Sequence, residues 1–151
     1  MIIKKFKIVQ KKEIRKKITK RDIIKFANLT GDQNPIHTNI KYAKKSNIKK
    51  NIAHGMLSAS FISNIIGNKI PGPGALWMSQ NLEFLNPVYV NDTIRVLVEI
   101  ISIDERFNLL NLKTEVHNQD NLKVISGLGK VKILAKEKKF IKKVENKETK
   151  L

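Results

Sequence analysis

The chain has 151 residues, 41% hydrophobic and 28% charged, the composition of a single ordinary globular domain. It contains no cysteine, which excludes disulfides, thiolate catalysis and cysteine-held metals. Its net charge of +17 suggests nucleic acid, but residues 1–25 carry eleven Lys/Arg against two acids and residues 130–151 nine against three, while residues 26–129 carry ten against eight, so the basicity sits at the ends.

In those basic ends the aromatics are Phe6 and Phe140, and Lys greatly outnumbers Arg. Base stacking and bidentate phosphate reading are both poorly served by that mix. The lysines therefore read as solvated faces, with some available to attract an anionic carrier. No run approaches the roughly 18 apolar residues of a membrane span, and no apolar stretch follows Lys4 and Lys5. The expectation is a cytoplasmic protein with neither nucleic acid nor membrane as partner.

In chain order, the Lys-rich segment Phe6–Ile18 has room for one or two short strands. Thr19 followed by Asp22 predicts a capping box, a short helix through Ile23, Ile24, Phe26, Ala27 and Leu29, and an end at Gly31. Residues 30–39 read as a polar turn, followed by a short helix at Ile40–Lys45. Ile52–Ile66 is apolar on nearly all faces, which predicts a buried helix with Gly67 as its cap. After Pro71-Gly72-Pro73-Gly74 the period changes. Leu76–Phe84, Thr93–Ile103, Leu109–Asn118 and Lys123–Leu134 are strand-length runs, with clear alternation at Ile94/Val96/Val98/Ile100 and Leu110/Leu112/Thr114/Val116. One buried helix against consecutive strands predicts an α+β layer structure with an antiparallel sheet wrapped around the helix.

The stretch from Phe26 to His37 carries the chemistry. Asp32 and His37 stand five positions apart across a turn stiffened by Asn34-Pro35, since proline fixes its own φ and pushes the preceding residue out of the helical region. A carboxylate and an imidazole on one rigid bend suit addition of water to an enoyl thioester. That reaction needs one group to take a proton from water and one to supply a proton at Cα. Either residue can fill either role. The enolate-like transition state places charge on the thioester oxygen, which needs preorganised donors. The start of the apolar helix at Gly55 provides free N–H groups, and a glycine there permits close approach of the thioester. Taken singly, each residue has a plainer reading: Asp32 as a turn former, His37 as a packed histidine, Gly55 as a cap. His54 reads as structural, orienting the Gly55 turn, and Ser58, Ser60 and Ser63 as packing residues or partners of Asp32.

The segments Phe26–His37, FANLTGDQNPIH, and Ile52–Ser60, IAHGMLSAS, resemble the hydratase motif of the MaoC-like, (R)-specific enoyl-CoA hydratases. Asn81–Thr93 resembles the strand-to-turn segment of that family, and the likeness spans roughly residues 15–134. The resemblance implies a hot-dog fold, an antiparallel β-sheet wrapped around one long buried α-helix, in a single domain at 1–136. The Lys-rich C-terminal tail, 137–151, has no counterpart in the motif and is expected to be frayed. It further implies homodimers, or dimers of dimers, with substrate tunnels at the interface. By position, Asp32 and His37 become the catalytic pair and the N–H of Gly55 the oxyanion donor. Asn34 shapes the turn or helps hold water, Ser63 is a supporting polar residue, and Ile66 and Val131 face the acyl chain. Neither a metal nor a redox cofactor is implied, and CoA or acyl carrier protein is the substrate carrier. Asn91 departs from the glycine usual at its position. Two alternatives stand beside this reading: a hot-dog acyl-CoA thioesterase, which would use the same oxyanion donor, and a basic nucleic-acid-binding module.

Overall fold

In the computed structural model, residues 2–134 are described; the expected tail at 137–151 lies outside them. The alternating runs form an antiparallel sheet. β1 (Lys11–Lys17), β2 (Ala75–Phe84), β3 (Thr93–Asp104), β4 (Leu109–His117) and β5 (Lys123–Ile133) pair in the order β1-β3-β4-β5-β2. The last four match the predicted runs to within a residue at each end. The Lys-rich first segment supplies one strand, paired with β3 from Lys11↔Glu99 to Lys17↔Thr93. Asn91, before β3, has φ 75°, and its N–H donates to the Ile18 carbonyl at 2.7 Å. Glycine suits that left-handed position, and asparagine is among the few other residues that adopt it readily, so the expected departure at Asn91 leaves the turn intact.

Alternation puts Ile94, Val96, Val98 and Ile100 of β3 and Leu110, Leu112 and Val116 of β4 on the inner face, all fully buried. Across that face runs α4 (Gly55–Asn68), which buries Leu57, Ala59, Ile62, Ile65 and Ile66. Each of the Leu and Ile side chains contributes about 1.5–3 kcal/mol of transfer free energy. The helix is not buried all round as its composition suggests. One sheet covers one face, and Met56, Ser60, Ser63 and Asn64 are exposed on the other.

Two boundaries differ from expectation. The helix starts at Gly55 rather than Ile52 because residues 51–53 are held as extended chain, with Ile52 bridging Tyr89 and the Ala53 N–H donating to the Val88 carbonyl at 2.7 Å. It also runs through Gly67 to Asn68. Closure falls to the buried Ile70, whose N–H reaches the Ile65 carbonyl, and to Gly72, whose N–H reaches that of Ile66.

α1 (Lys20–Thr30) begins with the predicted capping box, in which Thr19 and Asp22 exchange side-chain and backbone bonds. It ends at Gly31, whose φ of 79° turns the chain toward the site. The supposed turn at 30–39 holds a single helical turn, α2 (Pro35–Thr38), followed by α3 (Ile40–Lys45).

Candidate active site

The bend expected at Asn34-Pro35 is a chain of short-range bonds. Asp32 Oδ1 accepts from the Asn34 N–H at 3.1 Å, and Asn34 Oδ1 accepts from the Ile36 N–H at 3.2 Å as the N-cap of α2. Pro35 fills the first helical position, where a missing N–H costs nothing. Asn34 is thus the turn-shaping residue. It orients Asp32 by binding one carboxylate oxygen and directs α2 with its own side chain.

α2 carries His37 toward the start of α4. The His37 Nδ1–H donates to the Ile52 carbonyl at 2.9 Å, since a carbonyl only accepts. In the neutral ring, Nε2 is then left as a lone pair. Burial pushes the His37 pKa below the ordinary imidazole value. The neighbouring His54 lowers it further, while the bond to Ile52 and the Asp32 carboxylate oppose the shift. At neutral pH the ring is a base.

His54 completes the group. Its Nε2–H donates to the Asp32 carbonyl at 3.0 Å and lies 4.0 Å from Asp32 Oδ2. Its ring stacks on His37, with centroids 3.8 Å apart. One donor atom from each of Asp32, His37 and His54 lies within 4.8 Å of the others. That is close enough to suggest a cation site, but the bond from His54 to the Asp32 carbonyl requires a proton on Nε2. A metal taking that nitrogen would have to break it. The donor set fits proton transfer better.

His37, Gly55 and Ser58 line a cavity of about 420 Å³, walled by Ile52, Met56 and the loop from Phe84 to Val88. Asp32 is not among the residues lining it; its half-exposed side chain reaches the site through His37 and His54. Among the described residues the Gly55 amide donates to no protein acceptor. It sits in the first turn of a 14-residue helix, where the backbone favours negative charge. Beside the close approach expected of the thioester, the fold gives a second reason for glycine. A Cβ at position 55 would lie 2.6 Å from Cε1 of Phe84, so the Phe84 ring also needs the space. Phe84 and Met56 also border a second cavity of about 520 Å³, lined further by Ala59, Ser60, Trp77 and Leu82.

Of the expected site residues, Asp32, Asn34, His37 and Gly55 come together. His37 and Gly55 line the first cavity, whereas Asp32, Asn34, Ser63, Ile66 and Val131 line neither. Ser63 is exposed on the open face of α4, while Ile66 and Val131 lie in the packed core between helix and sheet. Sequence reasoning missed Phe84, reached from Gly55 only across the fold; His54, read as structural and orienting the Gly55 turn, makes no side-chain cap bond to α4 and instead donates to the Asp32 carbonyl. Ser58, read as a packing residue or a partner of Asp32, lines the cavity, and its buried Oγ has no partner among the described residues.

The chain is similar to several known proteins. The family model described as MaoC like domain matches residues 4–122. The chain is 40% identical over 105 residues to an (R)-specific enoyl-CoA hydratase of Rhodospirillum rubrum, covering 70% of this chain and 73% of that one. It is 36% identical over 124 residues to a 3-hydroxybutyryl-CoA dehydratase of Methylorubrum extorquens, covering 82% and 78%. The solved (R)-hydratase from Aeromonas caviae involved in PHA biosynthesis superposes with a TM-score of 0.84 at 30% identity, covering 85% of this chain and 98% of that one. The five-stranded sheet over α4 is the hot-dog fold.

Proposed function

The chain belongs to the MaoC-like dehydratase family, and on that footing we propose that it adds water reversibly to (2E)-enoyl-CoA, giving the (3R)-3-hydroxyacyl thioester. Water, held between Asp32 and His37, loses a proton to one of them as its oxygen bonds to Cβ. The π electrons move toward Cα and onto the thioester oxygen, where the Gly55 amide and the α4 dipole lower the cost of the charge. A proton delivered to Cα from the same pair completes the addition and restores both groups. The lone pair on His37 Nε2, fixed by the bond from Nδ1–H to Ile52, suits that ring to take the first proton. No metal or redox group enters this scheme.

The observation that carries the reading is the meeting of Asp32 and His37 beside a helix-start amide that is free to bind an oxygen. β2 is an edge strand bearing exposed Leu76, Met78 and Phe84. An unpaired apolar edge beside both cavities supports a homodimer joined there. Crotonyl-CoA supplied to the purified protein should lose its enoyl absorbance and yield the (3R) alcohol. Release of free thiol without loss of the double bond would instead establish the thioesterase alternative, and a (3S) product would overturn the stereochemistry. Repeating the assay with enoyl-acyl carrier protein decides the carrier.

A further inference from the structure

Beyond the two groups given to proton transfer, one more side chain ties the parts of the site together. His54 is 3% exposed and immediately precedes α4. Its Nε2–H holds the Asp32 carbonyl at 3.0 Å, and its ring lies against His37 at 3.8 Å and against Phe26 of α1 at 5.1 Å. Its own peptide leads directly into the Gly55 amide. One imidazole thus touches the backbone of the carboxylate residue, the ring of the base and the peptide that receives the substrate oxygen. We infer that His54 is a positioning residue, setting the relative aim of Asp32, His37 and Gly55 without touching the reacting atoms.

Packing alone does not account for it. Any flat side chain would fill the space between Phe26 and His37, but it would leave the Asp32 carbonyl without its donor. The stack also has an electrostatic consequence. The groups whose charge acts on His37 are Asp32, which favours the imidazolium, and His54, which opposes it; burial also disfavours the charge and the bond to the Ile52 carbonyl favours it. Removing His54 therefore raises the His37 titration toward its ordinary value. The kinetic side of this inference rests on the hydration reading; the titration does not.

Two variants separate the contacts. His54→Phe keeps a ring against His37 and loses the donor, whereas His54→Gln keeps an N–H donor and loses the ring. Both are expected to lower kcat for crotonyl-CoA by about 10- to 100-fold, because small misplacements of reacting groups carry losses of that size, while KM stays within about threefold. The three ring titrations can be followed by NMR without substrate, with His117 as internal reference. That of His37 should move upward in both variants. In the unaltered protein, nitrogen shifts should show His54 protonated at Nε2, a result that needs no variant to fold. Wild-type kcat in both folded variants overturns the inference, as does an unmoved His37 titration or a proton on Nδ1 of His54 in place of Nε2. If the unaltered protein fails to hydrate any enoyl thioester, the proposed function falls, and the titration and tautomer results still decide the role of His54.

Discussion

Beneath α4 the sheet presents Ile94, Val96, Val98, Ile100, Leu110 and Leu112, each 0% exposed, with side chains held by apolar contact. The segment from Gly31 to Gly55, beside the start of the same helix, is built in the reverse way. Its backbone is fixed by individual polar side chains: Asp32 on Asn34, Asn34 on Ile36, His37 on Ile52, Asn51 on Ile36 and His54 on Asp32. Contact packing averages over many neighbours and tolerates adjustment. A one-to-one bond fixes a direction and fails when either partner is removed. The core therefore sets stability and the polar segment sets aim, so substitutions in the two regions should separate stability from rate.

The strongest way to break that comparison lies in the polar segment. Asp32→Asn and His37→Ala should each lower kcat by about 10²–10⁴-fold, the usual contribution of a positioned acid or base. Their melting temperatures should stay close to that of the parent, because neither side chain belongs to the core. Rate losses matched by large losses of stability would mean that the segment supports the fold after all. The converse test is Ile62→Ala, at a fully buried position on α4. It should cost about 2–5 kcal/mol in urea unfolding and leave kcat per folded molecule unchanged.

The comparison also explains what could be read from the sequence. Strands β2 to β5 follow from alternation, and α1 from Thr19, Asp22 and Gly31, since these signals lie within a few residues of what they specify. The bend that carries Asp32 and His37 was legible for the same reason, because Asn34 and Pro35 act on their immediate neighbours. Contacts made only after the chain closes were not legible. Phe84 meets Gly55 from the edge strand, and His54 turns away from its own helix to Asp32, with nothing local to mark either. The apolar character of α4 was clear, but composition did not reveal that a single sheet leaves Met56 and Ser63 outside. Ile66 and Val131 were placed by resemblance, and the packed core holds them away from both cavities.

The join between the two regions gives a sharper and smaller effect. In Gly55→Ala the new Cβ must displace the Phe84 ring, an overpacking cost of about 1–3 kcal/mol. Phe84 is 52% exposed and has room to move, so the variant should fold and lose about tenfold in kcat/KM as the ring shifts over the cavity. Adding Phe84→Ala should recover most of that loss. Failure of the double variant to recover would mean that position 55 excludes a side chain because of the substrate, as sequence reasoning held.

The smallest effect is set by pH, where the two regions should part again. Burial lowers the His37 pKa from the ordinary 6.5, so the acid limb of kcat/KM should fall below that value, with more activity retained there than a free imidazole would allow. Stability behaves differently. Burial also lowers His117, on the sheet, helped by Arg95. As pH drops through 6.5 the unfolded chain gains protons at both histidines before the folded chain does, so stability begins to decline there, ahead of activity. A second decline belongs to Asp22 and Glu115. Burial raises their carboxyls, but bonds from Thr19 and Lys16 to Asp22, and from Lys123 and Lys113 to Glu115, more than offset it. Both folded values therefore lie below the ordinary 3.8 and 4.5, and the stability these bonds contribute disappears as pH falls through them. Chemical unfolding at a series of pH values, set beside the kcat/KM profile, should show stability falling first at pH about 6.5 while the rate still holds. In His117→Gln the first decline should shrink and the acid limb should stay in place, because His117 lies outside the site; a limb that moved with it would show that the sheet and the site titrate as one unit.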